Sequence, residues 1–171
     1  MKRPHTLVLL AMLPCALAAA QTPQPAEPAT MPASTHVMIK ASAVPWGDPP
    51  PGLGKGAQTA VMSGDPGQPG MYVIRIKAPP GFKVAKHWHP TDEQVTLIEG
   101  DLMFEMGDGA DQHSTTLAPG DYVLMPARIH HAASTVGGAV VQINGQGPFE
   151  INYVDPKDDP RNAMPAADAT K

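Results

Sequence analysis

Glycine and proline interrupt this chain so often that a long helix has little room to form. There are 16 glycines and 21 prolines in 171 residues, and between them the apolar residues come in short runs. Several runs alternate with polar residues, the signature of strands with one buried face. In Tyr72-Val73-Ile74-Arg75-Ile76-Lys77, residues 72, 74 and 76 share an apolar face and Arg75 and Lys77 point the other way. Strands are expected at 36–40, 57–62, 71–77, 83–89, 93–99, 101–106, 113–118, 121–125, 131–136, 139–144 and 149–154. Gly100-Asp101 suits a two-residue hairpin turn with glycine first, and Gly107 to Asp111 reads as a longer loop. Many short strands at regular spacing predict an all-β sandwich or barrel.

The length suits one domain with appendages. Lys2 and Arg3, an apolar stretch from Thr6 to Leu13, and the small residues Ala18-Ala19-Ala20 have the pattern of a signal peptide over residues 1–20. The apolar stretch is too short for a permanent membrane span. Residues 21–35 carry four prolines and little that is apolar, so they read as a flexible linker. The ordered domain is expected at 36–155, with a flexible C-terminal tail at 156–171. The expected location is the periplasm or the exterior.

Cys15 is the only cysteine, so neither a disulfide nor a thiolate ligand is available to the mature domain. Removing Lys2 and Arg3 from the 12 basic residues leaves 10 against 16 acidic ones, a formal charge of -6. No basic patch interleaved with aromatics is present, which argues against a nucleic-acid partner. The acidic balance also disfavours anionic membrane surfaces.

The chemistry concentrates in Gly81 to Gly100, "GFKVAKHWHPTDEQVTLIEG". On a strand His87 and His89 share a face, with Trp88 opposite. Pro90-Thr91-Asp92 turns the chain, and Glu93 opens a run whose Val95 and Leu97 share its face. That face is apolar enough to point inward, so the three polar groups should converge at the inner end of a hairpin. Unpaired among apolar side chains they would be costly, and a divalent metal resolves the cost. A second segment, "GDYVLMPARIHHAAST", brings a turn, a strand ended by Pro126, and then His130 and His131, either of which could supply a third imidazole. Three neutral imidazoles and a carboxylate suit a divalent first-row metal. Iron or manganese is expected ahead of nickel or zinc.

The spacing of Gly81, His87, His89, Glu93 and Gly100 resembles the first motif of the cupin superfamily. Gly120, Pro126 and His131 resemble its second motif, with Arg128 where the motif has a glycine and Thr135 where it has an asparagine. The resemblance covers roughly 36–155 and implies a small exported single-domain cupin. Its fold would be a jelly roll of two packed antiparallel sheets. It also implies one mononuclear metal held by His87, His89, Glu93 and His131. Strand alternation with His131 turns His130 outward, the alternative being a hydrogen-bond donor behind the ligands. Arg128, Tyr72 and Gln142 are candidate substrate contacts, and Met103 and Met125 are cavity or core residues. His36 and His113 read as surface residues.

A metal-dependent dioxygenase acting on a small oxygen-rich molecule, with Glu93 as base, is the leading functional expectation. The alternatives are a non-catalytic metal- or ligand-binding sensor module, and an isomerase or decarboxylase at the same site. The partner is a small molecule, without stable membrane insertion, and a homodimer is an allowed assembly. Exported protein should begin at Gln21. N-terminal sequencing checks this, and a different start, or lipid on Cys15, would contradict it.

Overall fold

The computed structural model describes residues 36–162. The expected leader and linker, and the last residues of the tail, lie outside the described residues. Ten strands make up the domain: β1 Gln58–Ser63, β2 Gly70–Ala78, β3 Lys83–Trp88, β4 Glu93–Gly100, β5 Leu102–Met106, β6 His113–Leu117, β7 Tyr122–Met125, β8 His131–Ser134, β9 Ala139–Gly147 and β10 Asn152–Tyr153. They form two five-stranded sheets, ordered β1-β2-β9-β4-β7 and β10-β3-β8-β5-β6, with antiparallel pairing throughout. This is the expected all-β jelly roll. Among the described residues, no helix is long and apolar enough to cross a membrane.

Alternation along the strands makes the core. Ile74 and Ile76 of β2, Val95 and Leu97 of β4, and Val141 and Ile143 of β9 face inward from the first sheet. Leu102 and Phe104 of β5 and Leu117 of β6 meet them from the second. Burying each such side chain is worth about 1.5–3 kcal/mol against leaving it in water.

Two local expectations are corrected. Gly100-Asp101 is not a hairpin turn, because β4 and β5 belong to different sheets. The chain crosses the barrel edge there, at a glycine with φ of 85°, and a side chain on Gly100 would strike the carbonyl of Gly138. Asp101 secures the crossing by accepting the backbone N–H groups of Val136 and Gly137, each at 2.8 Å. Likewise the His-x-His and Glu93 segments do not form a hairpin, since β3 and β4 lie in opposite sheets. Residues 89–92 therefore carry the chain from one sheet to the other.

The ends of the domain differ too. Residues 36–40 form no strand, and Val37 and Met38 stand exposed. The strand expected over 149–154 is reduced to β10, because Ile151 turns into the core and the Glu150 carbonyl engages His89 instead of a ladder partner. Residues 156–162, expected in the flexible tail, form turns held to the domain by Arg161, whose guanidinium donates to the Ile151 carbonyl at 2.8 Å and to Asp159.

The loop after β7 delivers the second ligand segment. Here Arg128 adopts φ of 67°, the left-handed conformation for which the motif uses glycine. Its backbone N–H donates to the His89 carbonyl at 2.9 Å, joining the two motifs, and its guanidinium lies over the Trp88 ring at 5.6 Å. A side chain in the left-handed region costs about 1–2 kcal/mol, and an exposed cation–π contact returns about 0.5–1 kcal/mol. Arg128→Gly should therefore be more stable than Arg128→Ala by about 1 kcal/mol, the reverse of the usual glycine–alanine order. Urea unfolding of the two variants checks this.

Candidate metal centre

Three imidazoles meet at the junction of the two sheets. His87 on β3 and His131 on β8 are direct register partners. His89 arrives from the crossing segment that follows β3. Strand β3 is irregular between Val84 and His87, where its register against β8 shifts. Strict alternation would put these two residues on opposite faces, whereas both line the interior cavity. Such an irregularity re-aims a side chain without breaking the sheet.

One ring nitrogen from each of His87, His89 and His131 falls within 4.8 Å of the others, and all three side chains are buried. In each ring Nδ1 faces a backbone carbonyl. His87 faces Ala85 at 2.8 Å, His89 faces Glu150 at 2.5 Å and His131 faces Ile129 at 3.0 Å. With Nδ1–H donating to oxygen, the lone pair sits on Nε2, the arrangement that metal-ligating histidines use. Nε2 of His89 and Nε2 of His131 are buried without a hydrogen-bond partner. Orphaned, inward-facing nitrogens of this kind fit a metal ion.

Glu93 completes the group from the facing sheet. Its Oε2 lies 3.4 Å from Nε2 of His89 and 3.6 Å from Nε2 of His131, and the residue is 5% exposed. Burial alone would raise its carboxyl, but the approach of His131 and His89 outweighs burial and holds it well below the usual range. Burial likewise opposes a proton on His89, yet Glu93 raises that ring above its ordinary 6.5. His87 goes the other way. Burial first, then the neighbouring His131 and His89, lower it to about 3, so it stays a neutral donor. The arrangement can therefore present nitrogen lone pairs and one carboxylate oxygen to a single divalent ion.

Aromatic rings wall the imidazoles. Phe149 stacks on His89 at 5.4 Å, and Phe104 and Tyr153 flank His131 and His87 at 6.4 and 5.8 Å. From the ligands a cavity of about 70 Å³ runs into the barrel. The candidate substrate contacts do not line it. Gln142 is on the outer face of β9, between the inward Val141 and Ile143, and accepts a hydrogen bond from Arg75. Arg128 is over Trp88, on the side of β3 away from the ligands.

Tyr72 is inward and buried but sits beside the cavity. In the first sheet Tyr72, Gly145, Glu93 and Met125 form one row of register partners. A side chain on Gly145 would collide with the Tyr72 hydroxyl, so the phenol lies across that glycine. Burial, and then the Glu93 charge, keep it protonated. Met125 is core, and Met103 faces outward with 38% exposure. His130 points away from the ligands and pairs with Asp108 at 2.7 Å, while His36 and His113 are exposed.

Sequence reasoning missed the three carbonyls that orient the rings, the stacking of Phe149 and the role of Gly145. For Ala85 and Ile129 a signal existed, since each precedes its histidine by two residues. Glu150 is 61 residues from His89, and no local pattern points to it.

A family profile described as a domain of unknown function, DUF4437, matches residues 12–152. No curated protein matches the chain. Among solved structures, the polyketide cyclase RemF from Streptomyces resistomycificus is similar with a TM-score of 0.60 and 15% identity, over 74% of this chain and 91% of that one. An RmlC-like cupin from Shewanella frigidimarina gives 0.53 and 17% identity over 66% and 91% of the two chains. KdgF from Halomonas sp. gives 0.51 and 19% over 66% and 96%. At these identities the likeness establishes the fold. With its two-sheet jelly roll of the kind these cupins share and its motif residues gathered at one end, this chain belongs to the DUF4437 family.

Proposed function

We propose that this protein is an exported metal-dependent enzyme that oxidises a small molecule bound through oxygen atoms, with dioxygen as oxidant. The observation that carries the metal part is the pair of buried Nε2 atoms, on His89 and His131, that face Glu93 and lack a hydrogen-bond partner. His87, His89 and His131 would hold the ion and Glu93 would close the set. The ion would supply Lewis acidity and, as iron or manganese, one-electron chemistry. Export rests on the sequence pattern of residues 1–20.

The chain's own residues divide the remaining work. Carbonyls of Ala85, Glu150 and Ile129 fix the ring orientations, so the site needs little reorganisation on loading. Phe149 and Phe104 keep water from the imidazoles. Glu93 would take a proton from a substrate hydroxyl on loosening from the ion; the neighbouring rings keep it ionised, at the cost of making it a weak base until it moves away from them. Tyr72 holds a proton beside that carboxylate.

Metal content measured on purified protein should collapse in His87→Ala, His89→Ala and His131→Ala, and largely survive in His130→Ala. The opposite result for the last two would move the ligand to the loop. For catalysis, oxygen consumption by iron- or manganese-loaded protein is measured against enediols and small keto acids. Glu93→Gln should lower turnover by about 10²-fold or more while retaining part of the metal, because an amide offers oxygen but accepts no proton. Tight zinc in native protein, with no oxygen uptake across those substrates, would instead favour a sensor-type binding module.

A further inference from the structure

The cavity behind the metal ligands is apolar almost throughout. Ile76, Val95, Val141 and Ile143 line it from one sheet, and Phe104 and Ala133 from the other. Beyond His87, His89, Glu93 and His131, its polar side chains are Ser134 and Thr135. Thr135 is already engaged, with its hydroxyl accepting the Gly138 N–H at 2.9 Å. Among the described residues, no lysine or arginine lines the cavity. An anionic group entering it has no cation to meet except a metal at the ligand cluster. Hydroxyls carried deeper would lose water and find almost nothing to bond, at a cost that grows with each one.

We infer that the ligand is a compact amphipathic molecule with its oxygen donors confined to one end, at the metal, and a short hydrocarbon body filling the cavity. A polyhydroxylated sugar acid is excluded by the same walls. This narrows the oxygen-rich expectation to the head of the molecule, and it rests on the metal-centre reading above. The size follows from the volume. The cavity of about 70 Å³ admits about two waters' worth of matter, enough for a short alkyl chain but less than half the roughly 150 Å³ that takes up a benzene ring.

The test uses the full chain loaded with cobalt(II), whose visible spectrum reports ligands reaching the metal without any turnover. Acetohydroxamate, butanohydroxamate and hexanohydroxamate present the same two oxygens on bodies of rising length, and benzohydroxamate adds a ring. Affinity should tighten about threefold to fourfold per methylene until the cavity is full. The hydroxamate of a sugar acid, with as many carbons as the hexanoyl member, should bind about tenfold weaker than that member, or worse. Ala133→Leu places extra carbon in the cavity and should move the break in the series to a shorter chain. Should that variant fail to fold, the series on the unmodified protein decides alone. A flat series, or tighter binding by the sugar-derived hydroxamate, in protein holding a full equivalent of cobalt would overturn the ligand class and leave the metal centre standing. Failure to take up cobalt at all would overturn the metal reading, and this inference with it.

Discussion

Two imidazole nitrogens buried without a partner are the constraint around which this domain is arranged. Nε2 of His89 and of His131 face Glu93 from 3.4 and 3.6 Å, close enough for charge to act but without a hydrogen bond to either nitrogen. Each such orphan costs about 1–3 kcal/mol in a protein interior. The charge of Glu93 offsets part of that cost, since it raises the His89 ring above its ordinary value. Three Nδ1 atoms are tied to backbone carbonyls, so the rings cannot rotate toward better partners without breaking those bonds. A site held in this way would gain stabilisation from an arriving ion, and the free energy of binding it would then add to that of folding.

The barrel makes that arrangement affordable by dividing the ligands between its two walls. His87 and His131 are neighbours in one sheet, Glu93 comes from the other, and His89 lies on the segment that joins them. Carboxylate and imidazoles therefore approach across the core and not along one strand. The same crossing ties the two motifs together through the Arg128 N–H and the His89 carbonyl. Arg128 shows how a motif position can tolerate substitution. The loop still needs the left-handed conformation, and a stack on Trp88 offsets part of the strain of a side chain there.

Charge and polarity change over a short distance at this end of the barrel. The ligand cluster gathers four ionisable groups, and the cavity beyond it is walled by valine, isoleucine and phenylalanine. Low polarity strengthens the attraction of Glu93 for the rings beside it and suppresses a proton on His87. Along the sheet, Gly145 lets the Tyr72 phenol cross toward Glu93, which places a neutral hydroxyl near the only carboxylate of the site.

The sequence by itself determined the fold class, most of the strands and which residues gather at the candidate metal centre. Those features depend on local regularities: side-chain alternation, glycine and proline between runs, and fixed spacings such as His87-x-His89 and Glu93. Tertiary structure decided whether a turn pairs its strands or sends them to opposite sheets, as at Gly100-Asp101 and at 89–92, because both outcomes use the same turn residues. It also decided that Gln142, Arg128 and Met103 face away from the cavity, and that the Glu150 carbonyl orients His89 across 61 residues. Alternation fixes which residues share a face. Which face is enclosed, and which distant backbone atoms it meets there, depends on how two sheets pack, and no window of sequence contains that information.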